Sequence, residues 1–297
     1  MQIQANNTEV IYKYKEEISG RERRKAWISR VVLWLFVAIV LFPILAILAA
    51  SLSKGTSFST DLLPKSITFE NYSKVISNTN FLLWVKNSLI ICVSAALIQL
   101  FLTTPAAFAF SKLRFRFRSS GLMSLLILQM FPVTMALPAI LTICYTLEDT
   151  VGIAGTDNLL VIILLVAGGS AYNIWLMKGY MDGIANDLIE AAYVDGCTTL
   201  QVFMKIILPL MRNMLLVIFL FAFIGAYSEF IYSSSLLKDP DVQTVATGLE
   251  SFIKDQFSAN WTQYSAAAIM ASVPVVALFM GLQKFVATGI TAGSVKG

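Results

Sequence analysis

The 297 residues are 57% hydrophobic and 13% charged, with a formal net charge of +4, whereas a soluble domain usually carries about 25% charged residues. Histidine is absent, which excludes His-dependent nucleophilic triads and most zinc sites. Cys92, Cys144 and Cys197 are far apart and lack metal or redox spacing, so they read as small apolar packing residues.

The apolar residues cluster in blocks of about 20, the length that crosses a hydrocarbon core. The first block, 31–52, follows a basic segment. It is too long for the apolar core of a secretory signal and lacks a small-x-small cleavage pattern, so it is predicted to be a retained helix. Pro43 is expected to kink it. Further spans are predicted at 88–110, 122–147, 159–177, 214–237 and 265–286. Pro132 and Pro138 should bend the third. The pattern predicts an all-α polytopic membrane fold of six transmembrane helices, because helices satisfy their own backbone in lipid.

Lys and Arg set the expected orientation. Arg21, Arg23, Arg24 and Lys25 precede the first span, and the short stretch 111–120 holds Lys112, Arg114, Arg116 and Arg118 with no acid. The positive-inside rule therefore predicts cytoplasmic termini at both ends. The expected organisation is a cytoplasmic N-terminal segment, 1–30, a membrane domain, 31–288, containing a cytoplasmic loop, 178–212, and a tail, 289–297. The outer segment 238–263, with Phe252, Phe257, Trp261 and Tyr264, fits either a docking surface or a solvated cap.

Loop 178–212 is too polar to span. Asn186 or Asp187 suits a helix N-cap, which puts Glu190 in the first turn. Leu188, Ala191, Ala192 and Asp195 share a stripe, and Gly196 suits the helix end. A second short helix is expected over 199–207, broken by Pro209. Ala191, Ala192 and Gly196 let another backbone approach closely, and Glu190 and Asp195 could pair with its cations. On residues alone, an ordinary loop resting on the bundle is an equal alternative.

Glu229 falls inside the fifth block, where a carboxylate is costly. It reads as a path-lining or gating residue, or as a polar contact locking two helices. Gln99, Gln129, Tyr145, Tyr172, Asn173 and Tyr227 are further polar groups at membrane depth. They suit sugar binding, although interhelical hydrogen bonds are the more frequent use of such groups. Trp27, Trp34 and Trp84 read as interfacial or lipid-facing.

The spacing of Glu190-Ala191-Ala192, Gly196, Ile206 and Leu208-Pro209 resembles the EAA motif of permease subunits in binding-protein-dependent ABC importers. In that family the loop couples to a cleft of the ATPase subunit, which assigns ATPase coupling to Glu190, Ala191, Ala192, Asp195, Gly196, Ile206, Leu208 and Pro209. Phe42-Pro43, Gln129-Met130-Phe131-Pro132, Ala107 to Phe115 and the tail Thr291 to Gly297 resemble the smaller permease subunit of maltose-type importers. The likeness runs from about residue 30 to the end.

The resemblance implies a bacterial plasma-membrane subunit importing a maltodextrin-like or related oligosaccharide. Its partners would be a second homologous permease subunit, two ATP-binding subunits and an extracytoplasmic sugar-binding protein, with membrane lipid around it and no nucleic acid. Glu229, Tyr227, Asn173 and Gln129 become candidates for the path or its gate. The sequence has no Gly-x-x-x-x-Gly-Lys-Ser/Thr loop. The chain is thus expected to be no enzyme and to hold no cofactor of its own, with ATP and magnesium bound by the partner ATPase chains. Rival readings are an importer for another solute and, more distantly, a secondary transporter, which would call for repeated halves and paired intramembrane charges.

Overall fold

The computed structural model describes residues 20–56, 66–152, 155–255 and 259–291, and the described residues form an all-helical chain. The tail from 292 onward and the first 19 residues lie outside them, and so do the expectations placed there.

Helix α1, Gly20–Ser51, is charged up to Arg30, apolar on every face beyond it and almost wholly exposed, with Trp34 at 73%. A 32-residue helix is about 48 Å long, more than a hydrocarbon core of about 30 Å. It continues through Pro43 and packs on the last helix. Its end is tied to α2, Glu70–Asn78, because Asn71 Nδ2 donates to the Ser51 and Ser53 carbonyls at 2.9 and 2.8 Å.

The central helix is α3, Phe81–Lys112. It packs against α6, α7 and α10 and runs the full thickness of the bundle. It starts two turns before the predicted span, since Phe81 and Trp84 are buried against the outer layer rather than solvated. Trp84 is 5% exposed, in edge contact with Phe81 and Phe252, so it belongs to the core and is not lipid-facing.

The third block is bent, as its prolines predict. Helix α4, Arg118–Gln129, and helix α5, Val133–Val151, meet at 88° around Met130 to Pro132. The fourth block is also broken, into α6, Leu159–Gly168, and α7, Ala171–Asp182, at 48°. The run Gly168-Gly169-Ser170 is the cause, since glycine costs a helix about 1 kcal/mol per residue. After α7 come α8, Asn186–Val194, and α9, Thr199–Leu210. The fifth block forms α10, Arg212–Tyr227, and α11, Ile231–Leu236, interrupted at Ser228 to Phe230 where one continuous span was expected. A short outer helix α12, Val245–Glu250, precedes α13, Trp261–Thr291. Among the described residues, four helices are long and apolar enough to cross a membrane, or up to six if each bent pair is one span.

Candidate functional site

Helix α8 is built to end sharply. Gly196 adopts φ +83°, the left-handed region that costs other L-residues about 1–2 kcal/mol. There Cys197 N–H donates to the Ala192 carbonyl at 2.9 Å and Gly196 N–H to the Tyr193 carbonyl at 3.0 Å, which is a Schellman cap. A β-carbon on Gly196 would meet nothing within 4 Å, so backbone angle rather than internal crowding selects glycine.

The start of α8 differs from expectation. Ala185 occupies the N-cap without a side-chain bond, and Glu190 lies in the second turn. Asn186 does not cap because its Oδ1 accepts from Lys112 Nζ at 2.9 Å. The predicted stripe is also divided. Ile189 and Ala192 are buried, while Leu188, Ala191, Asp195 and Gly196 face outward. Val194, at the tip, is 88% exposed. Glu190 lines a polar cleft with Lys112, Arg114 and Arg118 and makes no ion pair among the described residues.

Helix α9 opens on a capping box formed by Thr198 and Gln201. Pro209 does not break it as predicted. The turn before it, Phe203–Ile207, widens to a π-helical turn in which Leu208 N–H reaches the Phe203 carbonyl. Pro209 cannot donate to Lys205, and its ring would press on that carbonyl in a regular α-helix. The wide turn gives it room, and the chain runs on through Met211 into α10. Ile206 and Leu208 are half-buried beside the fully buried Ile207.

The polar residues at membrane depth gather at helix breaks. Gln99 Nε2 donates to the Val166 carbonyl at 2.8 Å, and Asn173 Nδ2 donates to Gln99 Oε1 at 3.0 Å. In an unbroken helix Ser170 N–H would fill that carbonyl; here it turns to Gly168. Gln129 serves the same break, accepting from Tyr172 N–H at 2.9 Å and donating to the Gly169 carbonyl at 3.3 Å. Tyr227 Oη donates to the Ala271 carbonyl at 2.7 Å, three residues before Pro274 in α13. Glu229 accepts from the backbone N–H groups of Tyr232 and Ser233 and from Ser233 Oγ, so its charge sits on the α11 N-terminus. Gln129, Tyr227 and Glu229 thus bond to backbone groups, and Asn173 reaches the Val166 carbonyl only through Gln99.

Sequence reasoning missed Ser111 and Asp182 as site residues and used Lys112 only as a topological charge. Ser111 Oγ donates to Asp182 Oδ1 at 2.6 Å, and Lys112 Nζ donates to the Ile184 carbonyl at 2.7 Å. The available signal was an acid ending one helix beside a basic turn. It also missed Gly248, whose β-carbon would lie 2.2 Å from the Trp84 ring.

The described residues form a multi-pass apolar bundle that carries a short, glycine-ended helix seated on its core by Ile189 and Ala192, and its relatives are permease-class transport subunits. The chain is a member of the family described as the binding-protein-dependent transport system inner membrane component, which matches residues 99–292. The maltose/maltodextrin transport system permease protein of Vibrio parahaemolyticus is 32% identical, over 92% of this chain and 96% of its own. The galactooligosaccharides transport system permease protein of Bacillus subtilis is 35% identical, over 91% and 95%. A chain from a bacterial ABC transporter involved in import of the acidic polysaccharide alginate shares the fold, with TM-score 0.72 and 25% identity over 90% of this chain and 98% of that one.

Proposed function

We propose that this chain is one permease subunit of an ATP-driven oligosaccharide importer, crossing the membrane six times with both termini in the cytoplasm. Lys112, Arg114, Arg116 and Arg118 support that orientation, since basic residues concentrate on cytoplasmic loops. A second, related permease subunit completes the path. Two ATP-binding subunits and an extracytoplasmic sugar-binding protein complete the importer. Relatives named for maltodextrin and galactooligosaccharide import favour a neutral oligosaccharide, with a maltodextrin-like one preferred on the motif resemblance.

The observation that carries the reading is α8. It is short, ends on the left-handed Gly196, holds the Glu190-Ala191-Ala192 run and offers Val194 almost fully exposed. Such a helix can enter a cleft of a partner with little side-chain bulk between backbones. Closure of the ATPase pair would draw α8 inward, and its different fit to the two ATPase states would bias the bundle between inward- and outward-facing forms. Gln129, Asn173, Tyr227 and Glu229 contribute to the path by fixing the broken helices that border it.

Cells lacking this chain, supplied with labelled maltotriose or a galactotriose, test the substrate. Loss of maltotriose uptake on deletion, restored by the chain and abolished by ATP depletion, is expected. Undiminished maltotriose uptake with loss of galactotriose uptake would move the cargo to galactooligosaccharides. Loss of neither would contradict oligosaccharide import.

A further inference from the structure

We infer that Ser111, Lys112 and Asp182 form a positioning clamp that makes α8 and the central helix α3 move as one body. The inference rests on reading α8 as the element that meets the ATPase.

Apolar contact seats α8 through two side chains. Ile189 and Ala192 are its buried side chains, and a cleft of about 460 Å³ lined by Lys112, Arg114, Arg118, Asp182 and Glu190 lies along it. Two buried side chains thus seat this nine-residue helix, and the cleft runs beside it. Lys112 supplies what packing does not. Its ammonium holds the Ile184 carbonyl, in the linker before α8, and Asn186 Oδ1, in the first turn of α8. Charge-assisted bonds of this kind are about twice as strong as neutral ones.

Asp182 points to the same arrangement. It is the last residue of α7, where the helix dipole disfavours a negative charge. Helix stability alone would favour a cation there. The carboxylate instead uses both oxygens, accepting from Ser111 Oγ on one and from Lys178 Nζ, at 2.6 Å, on the other. Ser111 and Lys112 therefore hold α7 and α8 on either side of the linker 183–185. Arg118 fixes the same stretch from the α4 side, donating from Nε to the Phe110 carbonyl at 2.6 Å and from Nη2 to the Ser111 carbonyl.

Helix α3 carries the displacement onward. At its other end Asn87 Nδ2 donates to the Asp241 and Gln243 carbonyls at 2.9 and 3.0 Å, and Ser88 Oγ accepts from Val245 N–H at 2.9 Å. The helix clamped to α8 is thus also bonded to the layer holding α12. Motion imposed on α8 reaches the opposite face through a single helix of about 48 Å that runs on through Pro105.

The test uses the complex purified through this chain with its ATPase subunits, in a Cys197→Ser background. Spin labels are placed at the exposed Val194 and Phe101, on α8 and α3. Pulsed electron resonance compares nucleotide-free and ATP–vanadate-trapped states. Native Lys112 should keep the distance unchanged within about 2 Å, the scale of small helix shifts. Lys112→Met should let it differ by about 5 Å between states, or broaden it about twofold. Lys112→Arg should restore it, which a general loss of folding would not allow. Should Lys112→Met fail to insert, Ser111→Ala and Asn186→Ala each remove one contact and are read the same way. A native distance that changes between states overturns the clamp, and so does an unchanged distance in all three weakened variants. If no ATPase subunit accompanies the native chain, the reading of α8 falls first and takes the clamp with it.

Discussion

Gly196 and Gly248 are glycines for different reasons, and the expected variants differ accordingly. At Gly196 the constraint is a positive φ with open surroundings. Asn tolerates that conformation better than other non-glycine residues. Gly196→Asn is therefore expected to keep most uptake. Gly196→Val should leave the protein inserted while lowering the yield of ATPase subunits that co-purify with it. Equal yields from Gly196→Val and the native chain would contradict this. At Gly248 the constraint is the Trp84 ring. Gly248→Ala is expected to destabilise the detergent-solubilised chain by about 1–3 kcal/mol, the usual cost of overpacking. A smaller side chain at Trp84 should relieve it, with the thermal midpoint as readout. Glu229 is a third case. Its carboxylate caps α11 with three hydrogen bonds, so Glu229→Ala should cost about 1–2 kcal/mol, as lost helix caps do. Glu229→Gln, which retains an acceptor, should cost less. Equal midpoints for the two variants would return the residue to a role in open space.

Breaks between helices, rather than the helices themselves, were the part hardest to read in the sequence. Apolar runs made the six blocks legible, and Pro132 marked one bend. The break at Gly168-Gly169-Ser170 and the interruption at Glu229 were not foreseen. Periodicity over a 20-residue window averages across a two-residue fault, and a long apolar run hides it. Gln99, Gln129 and Asn173 were noticed as polar groups, but their purpose depends on which carbonyls and amides the breaks set free, and sequence alone does not say. The same holds for Pro209. Its presence predicted an end to α9, whereas one widened turn absorbs it. Pro209→Ala is expected to let that turn close to a regular α-helix, dropping the extra residue and rotating the preceding segment by about 100°. The loop would then present α8 wrongly, and fewer ATPase subunits should co-purify. Unchanged recovery would mean that the wide turn is held by its packing and not by proline.

Over the whole molecule, charge and apolar surface divide the same way in sequence and structure. Helix α1 exposes apolar residues around its circumference, as a lipid-facing span must, and the buried side chains concentrate along α3 and α10. The Glu190 to Pro209 motif stood out in the sequence because it is a fixed spacing. The clamp at Ser111, Lys112 and Asp182 was not, because it joins residues about 70 positions apart. The central claim is that α8 is the contact with an ATP-hydrolysing partner. The most direct measurement is a photo-activated cross-link from a cysteine placed at Val194, in membranes containing the assembled transporter. A specific product with a nucleotide-binding subunit, whose yield changes when ATP and vanadate trap the complex, is the predicted result. A product only with the second permease subunit or with lipid, unaffected by nucleotide, would contradict the account.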